Sequence, residues 1–131
     1  DHTAPYPDIM QTMKALKEND VKIAIVSNKL DSAVKELNER FFAEYTTSAI
    51  GEMEGVARKP APDMVNKALK ELGVTKEEAV YVGDSDVDIA TAKNSGLPCI
   101  SVTWGFRDVA FLKEHGAKTL IESPLELLYL V

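Results

Sequence analysis

The sequence has little cysteine and histidine: one cysteine, Cys99, and two histidines, His2 and His115. A single cysteine cannot form an intramolecular disulfide, and its neighbours in LPCISV predict a buried strand residue. The two histidines are far apart in the chain and have no companions at metal-ligand spacing, so we expect both at the surface. These absences exclude a disulfide-stapled fold and favour a reducing, cytoplasmic setting.

Long apolar runs are absent too, and basic residues are outnumbered. No stretch approaches the ~20 consecutive apolar residues of a membrane span, and the opening residues lack the pattern of a signal peptide. The chain has 15 Lys and Arg residues against 21 Asp and Glu residues, a net charge of -6. We therefore expect neither a membrane partner nor a nucleic-acid partner, since a phosphate backbone needs a basic face. A small phosphorylated substrate is compatible with this charge, because a metal ion can invert the local field.

The length of 131 residues and the hydrophobic content of 45% predict one globular domain over residues 1–131. No internal repeat or low-complexity segment interrupts it. The sequence starts with Asp1 rather than methionine, which favours an origin in the middle of a longer protein.

Short apolar segments alternate with amphipathic segments along the chain. This alternation predicts an α/β fold of three layers, Rossmann-like, in which a parallel sheet is covered by helices on both faces. Strands are predicted at 21–28, 45–50, 79–83, 99–103 and 118–121, and helices at 8–19, from Asp31 or Ser32 onward, at 63–72, 86–95 and 108–115, and from Ser123-Pro124 onward.

Several helix ends carry local signals. Asp31 or Ser32 is the expected N-cap of the second helix, and Gly73 is expected to end the third. Thr75 with Glu78 three residues later is the pattern of a capping box for a single turn.

Polar side chains follow the predicted strands at three places: Ser27 and Asn28, then Lys59 in a loop, then Asp84 to Asp88. Ligands of parallel sheets bind beyond the carboxyl ends of the strands. Ser27 and Asn28 offer donors that suit a phosphate oxygen, and Lys59 offers an ammonium group. Asp84 and Asp88 offer hard oxygen ligands that suit Mg²⁺. Together these groups are the parts that phosphoryl transfer requires.

Each group also has a purely structural explanation. Ser27 and Asn28 could form a turn, with Asp31 as the helix cap, and a loop lysine is usually solvated. Asp86 is expected near the N-cap of its helix. A buried cluster of acidic side chains is costly unless a cation compensates it, so Asp84 and Asp88 are the strongest functional candidates.

The ordered set of motifs resembles the haloacid dehalogenase superfamily, in particular its phosphoglycolate phosphatase-like branch. VKIAIVSNK resembles the second motif of that family, RKPAPD the third, and VYVGDSDVDIATAKNSG the fourth. SVTWGF resembles a segment that follows in phosphoglycolate phosphatases. The resemblance extends over nearly the whole chain, from about Tyr6 to Leu130. It implies that the chain is the C-terminal part of a hydrolase core.

The resemblance assigns a role to each matching residue. It implies that Ser27 hydrogen-bonds the transferred phosphoryl group with Asn28 beside it, and that Lys59 bridges this group and the nucleophile. It implies that Asp84 binds Mg²⁺ and that Asp88 supports the ion from the second shell or through water. Ser27 and Lys59 are thus the catalytic candidates, and Mg²⁺ is the expected cofactor.

The first motif of the family, DxDGT with its nucleophilic aspartate, is not found in the sequence, nor is the cap that usually follows it. Asp84-x-Asp86 matches DxD, but no Gly-Thr follows and the motif order is wrong. In the family, the missing strand lies between the strands that end at Ser27 and at Asp84. We expect that another chain supplies it by self-association, that the flanking strands pair directly, or that the chain is part of a longer protein.

The leading functional hypothesis is a magnesium-dependent phosphatase that acts on a small phosphomonoester, similar to phosphoglycolate, through an aspartyl-phosphate in the full-length protein. One alternative is a non-catalytic fragment, because no nucleophile is found. Others are a mutase or a pyrophosphatase of the same family, since cap residues choose the substrate. A receiver-like domain is disfavoured by the order of the motifs.

Overall fold

The computed structural model describes residues 7–102, 109–122 and 125–126 of the chain. Within these ranges five helices alternate with five strands, as the sequence pattern predicts. The helices are α1 (Pro7–Glu18), α2 (Asp31–Phe41), α3 (Asp63–Leu72), α4 (Asp86–Ser95) and α5 (Val109–Glu114), and the strands are β1 (Ala24–Leu30), β2 (Ser48–Glu52), β3 (Tyr81–Gly83), β4 (Cys99–Val102) and β5 (Thr119–Ile121).

The strands form two parallel sheets rather than one. Strand β1 pairs with β2, with Ala24 opposite Ser48 and Val26 opposite Ile50. The second sheet has the order β3-β4-β5, and both of its pairings are parallel. The α/β class with parallel strands and covering helices is therefore confirmed. Direct pairing of the strands that flank the expected gap is not observed, because β1 and β3 belong to different sheets within the described residues.

Helix α3 holds the two sheets together. Val65 and Leu69 belong to a buried cluster with Tyr81 of β3, whereas Met64 and Ala68 on the same helix pack in a cluster with residues of β1 and β2. Burial of each large apolar side chain contributes about 1.5–3 kcal/mol. The helix therefore joins the two half-sheets through side-chain packing.

One face of β3 is left uncovered. Val80 and Val82 are each 41% exposed, whereas Tyr81 between them is buried, as expected from the alternation of side chains along a strand. Since β3 pairs with β4 on one side, its other edge is open within the described residues. The open edge is therefore flanked by apolar side chains that solvent reaches.

Two strands start later than their apolar patterns predict. Val21 still donates a backbone hydrogen bond to Leu16 at the end of α1 (2.9 Å), so β1 begins only at Ala24. Thr46 donates from its backbone to Phe42 and continues the turn after α2, so β2 begins at Ser48. In both places hydrogen bonds of a preceding helix claim residues that were predicted as strand.

The predicted helix ends have mixed outcomes. Gly73 ends α3 in the left-handed conformation, at φ 71°, and the capping box of Thr75 and Glu78 is present. The predicted N-cap of α2 is wrong, because Leu30 occupies that position and no side chain caps the helix. The Asp31 carboxylate instead accepts hydrogen bonds from the Gly51 backbone (2.9 Å) and from Lys35 (2.6 Å), which ties α2 to β2.

The residues that the sequence has in short supply are placed as follows. Cys99 starts β4 and is half-buried, and His115 is exposed just after α5. His2, the segment TWGF and the proposed last helix from Ser123 lie outside the described residues, apart from 125–126. No helix in the described ranges is long and apolar enough to cross a membrane.

We expect Leu69→Ala to lower the free energy of unfolding by about 2–5 kcal/mol, because it leaves a cavity where α3 meets β3. Lys70→Ala is the control, because Lys70 is exposed on the same helix, and its effect should stay within about 0.5 kcal/mol. Urea unfolding followed by circular dichroism measures both changes. Equal effects of the two variants would contradict the bridging role of α3.

Candidate active site

The predicted site residues gather at the carboxyl ends of β1 and β3. Ser27 and Asn28 lie in the last part of β1, where its pairing with β2 is irregular between Val26 and Leu30. Lys59 lies in the loop between β2 and α3. Asp84 directly follows β3, and Asp88 lies in the first turn of α4. Their meeting requires parallel strands with aligned carboxyl ends, as the sequence analysis assumed.

The carboxylate of Asp88 is the centre of the hydrogen-bond network. Its Oδ1 accepts hydrogen bonds from Lys59 Nζ (2.9 Å) and from the Tyr81 hydroxyl (2.8 Å). Its Oδ2 accepts from the Asp84 backbone N–H (3.0 Å) and from the Ser85 hydroxyl (3.1 Å). A carboxylate has about four lone-pair sites, so these four donors satisfy Asp88 within the protein.

Gly83 is necessary for this arrangement. A Cβ atom at this position would lie 2.2 Å from Asp88 Cβ and 2.4 Å from its Cγ. Contacts this short do not occur between non-bonded carbon atoms, so any side chain at residue 83 would displace the carboxylate. The glycine before Asp84 is therefore explained by the close approach of α4 to the end of β3.

Burial and hydrogen bonding act in opposite directions on the pKa of Asp88. Burial favours the neutral acid and would raise the pKa, but the positive charge of Lys59 and hydrogen bonds from Lys59 and Tyr81 outweigh it and lower the pKa. The Asp88 and Lys59 side chains are only 9% and 14% exposed. The ion pair is thus formed where solvent screens it little.

The second carboxylate, that of Asp84, has the opposite electrostatic environment. Partial burial raises the pKa of Asp84, and the neighbouring negative charge of Asp88 raises it further. The site therefore disfavours the anionic form of Asp84 when no cation is bound. A divalent cation would reverse this balance, so the donor chemistry of this position fits a hard metal ion. No group of three or more Asp, Glu, His or Cys side chains with metal-binding geometry occurs in the described part of the chain.

The expected capping role of Asp86 is wrong. Ser85 is the N-cap of α4, and its hydroxyl accepts a hydrogen bond from the Asp88 backbone N–H. Asp86 is the first residue of the helix, where a negative charge is favourable near the positive end of the helix dipole.

Ser27 and Asn28 are part of an irregular strand, not of a turn capped by Asp31. The Ser27 hydroxyl oxygen accepts a hydrogen bond from the Lys29 backbone N–H (3.2 Å), so the hydroxyl proton can still be donated. The Asn28 side chain contacts the backbone of Lys59: its Oδ1 accepts from Lys59 N–H (2.8 Å) and its Nδ2 donates to the Lys59 carbonyl (3.2 Å).

Sequence reasoning missed two residues of this network, Tyr81 and Ser85. Tyr81 lies among apolar strand residues and was treated as one of them, although its hydroxyl donates to Asp88 and lies 3.3 Å from Lys59 Nζ. The one available signal was that a buried tyrosine needs a partner for its hydroxyl. Ser85 was overshadowed by the acidic residues on both sides of it.

No further aspartate of the described residues joins the network. Asp31 binds the Gly51 backbone, Asp63 accepts from the Ala57 backbone (3.2 Å), and Asp20 follows α1 with a positive φ of 62°. The absence of a nucleophilic aspartate that the sequence indicates therefore agrees with the described part of the chain.

Comparison with known proteins identifies the family. The model of the haloacid dehalogenase-like hydrolases matches residues 1–102. The chain belongs to this family. The match includes the strand of Ser27 and Asn28, the loop of Lys59 and the start of α4, so the resemblance noted from the motifs is confirmed at the level of the family.

Individual relatives agree with this assignment. The chain is 37% identical over 106 residues to a phosphoglycolate phosphatase from Aquifex aeolicus, which is 80% of this chain and 50% of the relative. It is 33% identical over 132 residues to a pyrophosphatase from Halalkalibacterium halodurans, which is 97% of this chain and 60% of the relative. The chain thus spans 50–60% of the length of these two relatives.

A solved structure supports the fold as well. A crystal structure from Lactobacillus delbrueckii, provisionally named phosphoglycolate phosphatase, superposes with a TM-score of 0.92 at 46% identity. The superposition covers 95% of this chain and 52% of that protein. The two half-sheets joined by α3 therefore match one continuous part of a larger phosphatase-type fold.

We expect Tyr81→Phe to lower the free energy of unfolding by about 1.5–3 kcal/mol at pH 7, because a buried carboxylate loses a hydrogen bond. The folded state lowers the pKa of Asp88, so this stabilisation is present above the unfolded-state pKa of about 3.9 and is lost as the pH falls through the folded-state pKa. The difference between wild type and variant should therefore shrink below about pH 4.

Urea unfolding at several pH values measures this difference. Tyr45→Phe is the matched control, because Tyr45 is half-buried in the turn after α2 and away from Asp88. A Tyr81→Phe effect that is independent of pH would show that packing, rather than the hydrogen bond to Asp88, explains the loss.

Proposed function

We propose that the complete protein is a magnesium-dependent phosphatase that hydrolyses a small phosphomonoester through an aspartyl-phosphate. The present chain forms one domain, the C-terminal part of the catalytic core, and supplies the groups that bind the phosphoryl group and the metal. One observation carries the proposal: Lys59 is fixed by a buried carboxylate at the same sheet edge as Ser27 and Asp84.

Lys59 is suited to bind a phosphoryl oxygen. An ammonium group has three N–H donors, and Asp88 and the Tyr81 hydroxyl occupy two directions around Nζ, at 2.9 and 3.3 Å. The third N–H is left for a ligand. Because the low exposure of the pair reduces screening, the positive charge would act strongly on the charge that develops during phosphoryl transfer.

Ser27 is the second phosphate donor in this proposal. The Lys29 N–H occupies the oxygen of the hydroxyl, which directs the O–H proton away from this contact and toward the sheet edge. Asn28, expected beside it, retains one amide N–H that is not used by Lys59. Ser27 would therefore donate to a phosphate oxygen, with Asn28 adding at most one further donor.

Asp84 would hold the magnesium ion, with Asp88 fixing the Asp84 backbone behind it. Mg²⁺ is usually bound by one or two carboxylates together with water and phosphate oxygens, so a site with a single direct carboxylate in this chain is chemically reasonable. The ion would neutralise charge on the phosphoryl group. The remaining ligands would come from water, substrate and the rest of the protein.

The nucleophile must come from outside the described residues. Strands β1 and β3 each have an open edge, and Val80 and Val82 are exposed beside the edge of β3. Unpaired strand edges and exposed apolar residues are unfavourable. We propose that a further strand with the nucleophilic aspartate fits between β1 and β3, either from a longer chain or by association with another copy.

The substrate class follows from the relatives only in outline. One relative is named a phosphoglycolate phosphatase and another a pyrophosphatase, so the shared feature is a small phosphorylated compound. The phosphate-binding groups at the sheet edge serve any such compound equally. A phosphoglycolate-like monoester is the first candidate, and a mutase or pyrophosphatase reaction is the alternative within the family.

A second candidate concerns the isolated chain, which we propose to be catalytically inactive. The observation that favours it is the lack of a nucleophilic aspartate in the described network around Asp88. Binding of phosphate or Mg²⁺ without turnover is the activity expected of this chain alone.

In the longer protein, Asp84→Asn should lower kcat on p-nitrophenyl phosphate by about 100-fold or more and abolish the dependence on Mg²⁺. Titration of Mg²⁺ against initial rates measures both effects. Asp20→Asn is the matched control, because Asp20 is exposed at the end of α1 and asparagine tolerates its positive φ. Activity that survives both chelation and Asp84→Asn would overturn the proposal.

The purified 131-residue chain should show no turnover of p-nitrophenyl phosphate above buffer, because covalent catalysis needs a nucleophile. The longer protein, assayed alongside, is the positive control. Turnover by the isolated chain that persists after repeated purification would reveal a nucleophile that the described residues do not contain.

A further inference from the structure

The Asn28 side chain forms a pair of hydrogen bonds with a single distant residue. Its Oδ1 accepts from the Lys59 backbone N–H at 2.8 Å, and its Nδ2 donates to the Lys59 carbonyl at 3.2 Å. The two residues are 31 positions apart. An amide side chain thus satisfies both backbone polar groups of Lys59, in the way a neighbouring strand would.

The position of Asn28 in β1 makes this contact available. The pairing of β1 with β2 is irregular between Val26 and Leu30, so residues 27–29 depart from the regular ladder. Asn28 links this segment to the loop that precedes α3. The loop has a second attachment, from the Asn94 side chain to the Pro60 carbonyl at 2.9 Å.

The two ends of Lys59 are therefore fixed separately. Its backbone is held by Asn28, and its ammonium group is held by Asp88 at 2.9 Å. A lysine side chain is long and flexible, so fixing only one end would leave many rotamers. Fixing both ends selects a narrow range of positions for the third N–H donor.

We propose that Asn28 is a positioning residue that acts through Lys59 rather than mainly as a phosphate ligand. This inference rests on the proposed role of Lys59 in phosphoryl transfer. Misplacement of a catalytic group by about 1 Å can cost up to about 100-fold in rate, which is the scale of effect expected when the contact is lost.

Two variants separate the parts of the contact. Asn28→Ala removes both hydrogen bonds, whereas Asn28→Asp retains an acceptor for the Lys59 N–H but places an oxygen against the Lys59 carbonyl. In the 131-residue chain, amide hydrogen exchange at residue 59 should accelerate about tenfold or more in Asn28→Ala and much less in Asn28→Asp. Asn19→Ala is the control, since the Asn19 amide donates to the Ala15 carbonyl at 2.8 Å, outside the site.

A double-mutant cycle in the longer protein tests the route of the effect. Alone, Asn28→Ala should lower kcat about 10–100-fold with KM within about threefold. In a Lys59→Met background it should have almost no further effect on kcat, although the backbone contact and its contribution to stability persist. A purely structural role would lower the unfolding temperature equally in both backgrounds and leave kcat of the folded enzyme unchanged.

Three results would overturn the inference. These are unchanged exchange at residue 59 in Asn28→Ala, an unchanged kcat in that variant, and an equal loss of kcat in the Lys59→Met background, which would make Asn28 a direct ligand. Lack of phosphatase activity in the wild-type longer protein is instead a failure of the proposed function. In that case, affinity for inorganic phosphate replaces kcat in the same cycle.

Discussion

The arrangement of the site depends on the burial of one carboxylate, that of Asp88. A buried negative charge is costly unless it is paired and hydrogen-bonded, and this requirement explains its surroundings. Lys59 supplies the positive charge, Tyr81 and Ser85 supply hydroxyl donors, and Gly83 leaves the space. Because each donor comes from a different part of the chain, satisfying this carboxylate also brings the loop, the strand and the helix together.

The same network separates the two acidic residues into different roles. The charge on Asp88 is compensated within the protein, whereas the neighbouring Asp84 has a raised pKa because burial and Asp88 both disfavour its anion. A site of this kind is prepared to accept a cation at Asp84 and keeps Lys59 fixed nearby. The open edges of β1 and β3 indicate that this is one half of an active site.

The order of elements was predictable because it depends on local patterns. Helices α3 and α4 have the predicted bounds, since Gly73 and Gly96 end them and apolar spacing marks their buried faces. The starts of β1 and β2 were not predictable, because hydrogen bonds from the preceding helices decide them. The N-caps of α2 and α4 failed for a related reason: Asp31 has a better partner in the Gly51 backbone, and Ser85 precedes Asp86.

The sequence by itself determined the family, the α/β class and the residues that gather at the sheet edge, because motif order and the direction of parallel strands fix them. Only the tertiary structure decided how these residues share the work. The contact of Asn28 with Lys59 and that of Tyr81 with Asp88 join residues 31 and 7 positions apart. Such pairings depend on how β1, the loop and α4 pack in space, and neither residue type nor spacing along the chain specifies them.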